Sequence, residues 1–246
     1  MSRPSLVRLD LLLVKQGHAA SRQRARALIE SGDVRVDGMP ATKPSAQVRA
    51  DQAITLASND FPWVGRGALK LLGALDDLGV DPAGCVAADL GASTGGFTEV
   101  LLERGCPKVY AIDVGKGQLA WKLRTDARVV NMEGVNARHL AELPDPIDLI
   151  VGDLSFISLA LILPTVATLL RSGGEAVLLV KPQFEAGRDA IGKGGRVRSQ
   201  ADRAAAIRKV RDDASGAGLL VLGGVDCRVP GAKAGNVEHF LHLRRG

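Results

Sequence analysis

From residue 66 onward, short and almost continuously apolar runs alternate with longer amphipathic stretches, and this alternation constrains the fold more than any other feature of the chain. The apolar runs are Cys85–Leu90, Val109–Asp113, Arg128–Asn131, Asp148–Gly152, Ala176–Lys181, Leu219–Val225 and Val237–Leu243. Helical stretches lie between them: Phe97–Arg104, Gly117–Arg124, Ser158–Leu170 and Gln200–Ala214. Strands that are apolar along their whole length are buried on both faces. The pattern therefore predicts an α/β fold with a mostly parallel, seven-stranded sheet covered by helices on both sides. Ligands bind such sheets outside the carboxyl ends of the strands, so residues at those ends are the first functional candidates.

Residues 6–57 carry a different, more compact pattern. Leu6 to Gln16 has helical spacing and closes on Gly17, and Ser21 is placed to cap a second helix, Arg22 to Glu30, that stops at Gly32. Val34-Arg-Val-Asp-Gly38 predicts a short strand with an Asp-Gly turn, and Ala53 to Ala57 a further strand. The second helix sets Arg22 and Arg26 on one face, with Leu28 and Ile29 turned inward. A net charge of +5 and a pI near 9.3 favour a polyanionic partner. For any single arginine a solvated helix face is the simpler explanation, but the whole pattern is more specific. RLDxxLVxxG, SRxxAxxLI, GxVxVDG and KP together resemble the small α+β RNA-binding domain of the ribosomal-protein-S-four type. That resemblance implies docking on structured RNA through phosphate contacts from Arg22, Arg24 and Arg26. The resulting division is an RNA-binding domain over 1–58, a linker over 59–65 that contains Trp63, and a larger domain over 66–246.

Several classes are disfavoured. Cys85, Cys106 and Cys227 lie far apart, without a CxxC pair or a histidine at metal spacing, so neither a disulfide framework nor a metal site is expected. The N-terminus lacks an apolar signal core. The longest apolar stretch, Leu159 to Leu170, is too short to span a bilayer and contains Pro164, so a cytoplasmic protein is expected.

The most specific motif is Asp89-Leu-Gly-Ala-Ser-Thr-Gly-Gly-Phe97, directly after the first strand of the large domain. Gly91, Gly95 and Gly96 allow the backbone to approach a ligand, and Ala92, Ser93 and Phe97 complete the loop and the start of the next helix. A dinucleotide fingerprint would read GxGxxG, whereas this loop reads GxxxGG with Asp89 ahead of its first glycine. A carboxylate there repels a pyrophosphate but suits the cationic amino-acid end of S-adenosylmethionine. Asp113, ending the next strand, is suited to both ribose hydroxyls of an adenosine. Loop and acid together resemble the class I, Rossmann-like methyltransferases, which implies S-adenosylmethionine as cofactor.

Strand-end residues then discriminate among methylation chemistries. Exocyclic amine methylation in this fold typically uses an (Asp/Asn)-Pro-Pro-aromatic motif, but the chain has Asp153-Leu-Ser-Phe156 without prolines. Methylation of cytosine carbon needs a Pro-Cys nucleophile, which none of the three cysteines supplies. Asp153 and Lys181 end two consecutive strands, Lys70 lies on the helix entering the domain, and Glu238 sits in Gly-Asn-Val-Glu-His-Phe. In order and context these four resemble the Lys-Asp-Lys-Glu tetrad of ribose 2′-O-methyltransferases of the FtsJ type. The resemblance implies Lys181 as base, Asp153 as its partner, and Lys70 and Glu238 as groups that position the ribose.

Over essentially its whole length the chain resembles the TlyA family, whose members often carry the name hemolysin A. RGALKLLGAL, DLGASTGGFTEVLLERG, DVGKGQLAWKLR, DLSFISL, LVKPQFE and GNVEHFL carry this resemblance. It implies 2′-O-methylation of cytidine in small-subunit ribosomal RNA and, in some members, in the large subunit, with ribosomal subunits as partners. One departure is Phe61, which stands where family members often have arginine ahead of Trp-Val. The glycine-rich basic segment Pro182 to Ser199 lacks P-loop order and is expected to border the RNA cleft, with Lys193, Arg196 and Arg198 near phosphates. Two other classes stay open at this point: a non-catalytic ribosome-assembly factor that binds RNA, and a membrane-lytic protein acting through a basic amphipathic helix.

Overall fold

The computed structural model describes residues 6–19, 21–30, 32–56, 62–231 and 235–246. It divides into two compact units, Met1–Pro62 and Trp63–Gly246. Residues 59–61 of the predicted linker, Phe61 included, lie outside the described residues.

The smaller unit runs β1 (Leu6–Arg8), α1 (Leu9–Lys15), α2 (Arg22–Glu30), β2 (Val34–Val36), β3 (Met39–Pro40), β4 (Gln47–Arg49) and β5 (Ile54–Leu56). Its core is Leu9, Leu12 and Leu13 of α1 against Ala25 and Ile29 of α2, closed by Val34, Val48 and Ile54 from the strands. Ser21 caps α2 as predicted, its Oγ accepting from Arg24 N at 3.1 Å. The helix predicted over Leu6 to Gln16 is shorter than expected. Leu6–Arg8 is extended and pairs antiparallel with β4, Val7 opposite Val48. Arg8, the last residue of β1, donates two hydrogen bonds to the fully buried carboxylate of Asp10, at 3.0 and 2.8 Å. That arrangement holds the chain extended up to the first turn of α1.

The larger unit continues with α3 (Gly67–Leu78), β6 (Val86–Leu90), α4 (Gly96–Glu103), β7 (Lys108–Asp113), α5 (Trp121–Arg124), β8 (Val129–Glu133) and β9 (Ile147–Gly152). It ends with α6 (Leu163–Leu169), β10 (Leu170–Val180), α7 (Pro182–Glu185), α8 (Gln200–Gly216), β11 (Leu219–Asp226) and β12 (His239–Arg245). The seven strands lie in the order β11-β12-β10-β9-β6-β7-β8. The pairs from β10 to β8 are parallel, and β12 is reversed between its two neighbours. The predicted α/β architecture is therefore present.

Successive strand residues face opposite sides of the sheet, and the core divides accordingly. Ala88, Leu90, Tyr110, Ile112, Ile150, Leu178 and Val180 pack with α6 and α8. Ala87, Val109, Ala111, Leu149, Val151, Val177 and Leu179 pack with α3, α4 and α5. Burying each large aliphatic side chain contributes about 1.5–3 kcal/mol. Trp63 joins the second of these clusters, so in the large unit it is a packing residue. The chain leaves β6 toward β7 on one side and β9 toward β10 on the other, which opens a crevice at the carboxyl ends of β6 and β9.

Two predicted helices are corrected. Over Gly117–Arg124 only the last turn is helical. The backbone amides of Gln118 and Leu119 donate to Glu133 Oε1, at 2.5 and 3.1 Å, which lays this segment across the end of β8. Ser158–Leu170 splits into a single 3-10 turn at Leu159–Leu161 and α6, with Pro164 in the first turn and Leu170 already in β10. The strands predicted at Arg128–Asn131 and Val237–Leu243 lie slightly later, at β8 and β12. Among the described residues no helix is long and apolar enough to cross a membrane.

Candidate active site

The loop between β6 and α4 is shaped by backbone conformations that side chains resist. Gly91 and Gly95 take φ of +85° and +96°, in the left-handed region. A Cβ on Gly91 would stand 3.0 Å from Asp153 O, so this glycine lets the loop lie against the end of β9. The other two glycines serve packing more than ligand approach. A Cβ on Gly95 would press into Leu119 and Leu123, and one on Gly96 would stand 3.0 Å from Ala68 N at the start of α3. The loop amides were expected to face a ligand, yet most have partners within the protein. Gly91 and Ala92 donate to Ile112 O, Gly95 to Ala92 O, and Ser93 to Asp113 Oδ2.

Asp89, the penultimate residue of β6 before this loop, is fully closed off from solvent. Its Oδ2 accepts from Thr98 N and Thr98 Oγ1, at 2.9 and 2.7 Å, and so anchors the start of α4. Its Oδ1 is buried without a hydrogen-bond partner. Burial pushes the carboxyl up to about 7, the contacts from Thr98 work against that, and the neighbouring carboxylates of Asp153 and Asp113 add to it. Asp113 ends β7 half-buried, with Oδ2 accepting from Ser93 N at 2.8 Å and Oδ1 from Gly115 N at 2.7 Å. Each of these oxygens has further lone pairs for hydroxyl donors. An unsatisfied buried carboxylate oxygen, with two more carboxylates nearby, fits a cationic ligand that also carries hydroxyls. S-adenosylmethionine is such a ligand; a pyrophosphate is not.

At the neighbouring strand ends, four residues far apart in sequence meet. Lys70, on α3, donates to Glu238 Oε2 at 2.7 Å and lies 3.6 Å from Asp153 Oδ2. Lys181, directly after β10, forms an ion pair with Asp153 Oδ1 at 2.5 Å and donates a hydrogen bond to Ser155 Oγ at 2.7 Å. Lys181 is 8% exposed and Glu238 3%. Burial alone would push Lys70 down, but the negative charges of Asp153 and Glu238 outweigh it and hold the ammonium above its usual range. For Asp153 burial would push the carboxyl up, and Lys181 and Lys70 outweigh that and hold it low. The result is a chain of alternating charge, Glu238–Lys70–Asp153–Lys181, on the ligand edge of the sheet.

Lys193, Arg196 and Arg198 are exposed and line a groove of about 670 Å³ whose wall includes Pro182 and Val237, the neighbours of Lys181 and Glu238. In the smaller unit, Arg22 donates to the buried carboxylate of Asp10 at 3.1 Å, so part of its guanidinium is already committed. Burial is outweighed there by the hydrogen bonds from Arg8, the largest influence, and from Arg22, which hold Asp10 at about 2. Arg26 is exposed on the same helix and Arg24 is half-buried. Among the described residues no group of histidine, cysteine, aspartate or glutamate could hold a metal ion.

Two residues were missed by sequence reasoning. Phe156 projects 78% exposed from the loop after Asp153, with its backbone at φ +64° and its ring 5.3 Å from that of Phe184. An aromatic three positions after a strand-end acid is the signal that marks it. Asn236 is nearly buried; its Oδ1 accepts from Val197 N and its Nδ2 donates to Gly195 O, each at 3.0 Å, which ties the basic segment beside Glu238. No spacing rule points to that contact.

Comparison with known proteins assigns a family to each unit. Residues 63–245 match the FtsJ-like methyltransferase family and residues 7–54 match the S4 domain. The larger unit is thus an S-adenosylmethionine-dependent methyltransferase of the FtsJ type. A 16S/23S rRNA (cytidine-2′-O)-methyltransferase, TlyA, from Mycobacterium tuberculosis is 48% identical over 240 residues, covering 96% of this chain and 89% of its own. The protein named hemolysin A from Brachyspira hyodysenteriae is 36% identical, covering 96% of this chain and 99% of its own. A solved structure of a hemolysin-named protein from Streptococcus thermophilus matches 99% of this chain and 90% of its own, with a TM-score of 0.76 at 38% identity. The chain belongs to the TlyA family.

Proposed function

We propose that this chain transfers a methyl group from S-adenosylmethionine to the ribose 2′-hydroxyl of a cytidine in 16S ribosomal RNA, with 23S ribosomal RNA as a second substrate. The RNA is presented within a ribosomal subunit, in the cytoplasm, and the smaller unit docks on it. The observation that carries this reading is the convergence of Lys70, Asp153, Lys181 and Glu238 beside a carboxylate-rich glycine loop.

A ribose hydroxyl is a weak acid, so its attack needs a group that takes its proton. When bound, S-adenosylmethionine supplies a methyl group made electrophilic by the sulfonium. Lys181 removes the hydroxyl proton, and Asp153, 2.5 Å away, stabilises the charge that Lys181 then gains. Lys70 and Glu238, held together at 2.7 Å, position the ribose. When the cofactor is bound, Asp113 would hold the hydroxyls of its ribose, and Asp89, whose Oδ1 lacks a partner, would supply the negative charge for its ammonium end. Gly91, Ala92, Ser93, Gly95, Gly96 and Phe97 shape the wall between them. Orientation of hydroxyl against methyl contributes much of the acceleration. Phe156 offers a face on which the target base stacks. Lys193, Arg196 and Arg198 hold phosphates along the groove, and Arg22, Arg24 and Arg26 do so on the smaller unit.

The test is mass spectrometry of nucleosides after incubation of the protein with labelled cofactor and unmodified ribosomal subunits. Labelled 2′-O-methylcytidine that disappears with Lys181→Ala is the expected result. Label on a base would overturn the tetrad reading. Absence of label despite bound cofactor would favour a non-catalytic assembly factor.

A further inference from the structure

The loop after β9 carries a hydroxyl that faces the same lysine as Asp153 does. Lys181 Nζ donates to Ser155 Oγ at 2.7 Å while its ion pair with Asp153 Oδ1 spans 2.5 Å. We propose that Ser155 is a positioning residue for methyl transfer: with Asp153 it fixes the direction in which Lys181 presents its lone pair to the ribose hydroxyl. This inference rests on the reading of Lys181 as the base.

The argument is stereochemical. A neutral amine carries two N–H bonds and one lone pair, arranged tetrahedrally with the side-chain carbon. Ser155 accepts one N–H bond and the Asp153 carboxylate, 2.5 Å from the nitrogen, attracts the other, so the lone pair is left along the one remaining direction. With Asp153 alone, the amine turns about its terminal C–N bond and the long side chain regains rotamer freedom. The second acceptor is also neutral. A carboxylate at that position would hold the proton on the amine and oppose its work as a base.

Ser155 itself belongs to an exposed loop, and a set of contacts explains why its hydroxyl stays opposite Lys181. Phe156 occupies the left-handed region at φ +64°, a strained conformation for a residue other than glycine. Such strain persists where the surroundings over-determine the backbone. Here the surroundings are the Phe184 ring, 5.3 Å away, and the nearly buried Glu185, which accepts from Ser158 Oγ at 2.6 Å and Leu159 N at 2.8 Å. Residues 153–159 are thereby laced to residues 181–185 at Asp153–Lys181, Ser155–Lys181, Phe156–Phe184 and Ser158–Glu185.

The test compares the full-length wild type with Ser155→Ala, Ser155→Thr, Ser155→Asp and Lys181→Ala, using unmodified ribosomal subunits and labelled S-adenosylmethionine. Ser155→Ala is expected to lower kcat by about ten- to a hundred-fold, leaving KM for subunits, cofactor Kd and melting temperature close to wild type. Ser155→Thr restores most of the rate. Ser155→Asp moves the pH of half-maximal kcat upward. Wild-type kcat in Ser155→Ala, with Lys181→Ala inactive, would sink the role of Ser155 and leave the base standing. Activity retained in Lys181→Ala would remove the base itself and this inference with it. A loss in Ser155→Ala that threonine does not restore, or that comes with a matching rise in KM or a lower melting temperature, would place Ser155 in the fold or in RNA binding instead.

Discussion

Asp89→Asn separates what this carboxylate does for the cofactor from what it costs the fold. In the folded chain its carboxyl stands at about 7, against 3.8 for an unperturbed aspartate, mainly because burial favours the neutral form. Between those values the unfolded chain has already lost the proton and the folded chain has not. Folding therefore becomes less favourable as pH rises from about 4 to about 7, and the full penalty is present above that range. At about 1.4 kcal/mol per pH unit the penalty amounts to about 4 kcal/mol. Asparagine has no proton to lose, and its oxygen still accepts from Thr98. The stability of the variant minus that of the wild type is thus expected to rise by about 4 kcal/mol between about pH 4 and pH 8, measured by urea unfolding without cofactor. The same variant is expected to bind S-adenosylmethionine at least about ten-fold more weakly at pH 8, because the charge proposed to meet the ammonium is gone. A stability difference that stays flat with pH would refute a titrating, buried Asp89. Unchanged cofactor affinity would refute the role given to its unsatisfied oxygen.

Glu238→Gln leaves the buried ammonium of Lys70 with Asp153 alone, 3.6 Å away; removing one partner of such a pair costs about 3–5 kcal/mol. Calorimetry should show a melting point lower by roughly 6–20 °C, and a shift within about 2 °C would contradict a tightly coupled pair. Replacing Lys193, Arg196 and Arg198 together by alanine should weaken subunit binding and flatten its salt dependence by about 0.7 per lost phosphate contact on single-stranded RNA. An unaltered salt slope in filter-binding assays would exclude them from the RNA path. Phe156→Leu should lower kcat/KM for subunits by about five- to a hundred-fold, from a lost stacking contact of about 1–3 kcal/mol. Equal activity would show that no base rests on this ring.

The parallel strands were legible because each is buried on both faces and reads as an unbroken apolar run. Asp153 and Lys181 were legible as charges standing where such runs end. Leu6 to Arg8 was misread because three residues fit a helical and an extended period equally well, and the pairing with Gln47–Arg49 that decides between them is non-local. The segment before Trp121 lost its predicted helix to the Glu133 carboxylate, a contact spanning 15 residues. The meeting of Lys70 with Glu238 spans 168 residues, and only the family resemblance, not any local pattern, indicated it. The unsatisfied oxygen of Asp89 and the clamp made by Asn236 are products of packing, so nothing in the residue order announces them.

The reversed strand has a consequence for the order in which this site can come into being. β12 follows every other strand in the chain yet lies between β10 and β11, and its first residue, His239, pairs with Val180, next to Lys181. Glu238 therefore reaches Lys70 only when this strand has paired with β10. During synthesis the glycine loop, Asp153 and Lys181 emerge early, while the Lys70–Glu238 pair waits for the last strand. A stop codon shortly after Asp226 would thus remove an inner strand rather than trim an edge. Such a chain would lack Glu238 and, with it, the hydrogen-bonded partner of Lys70.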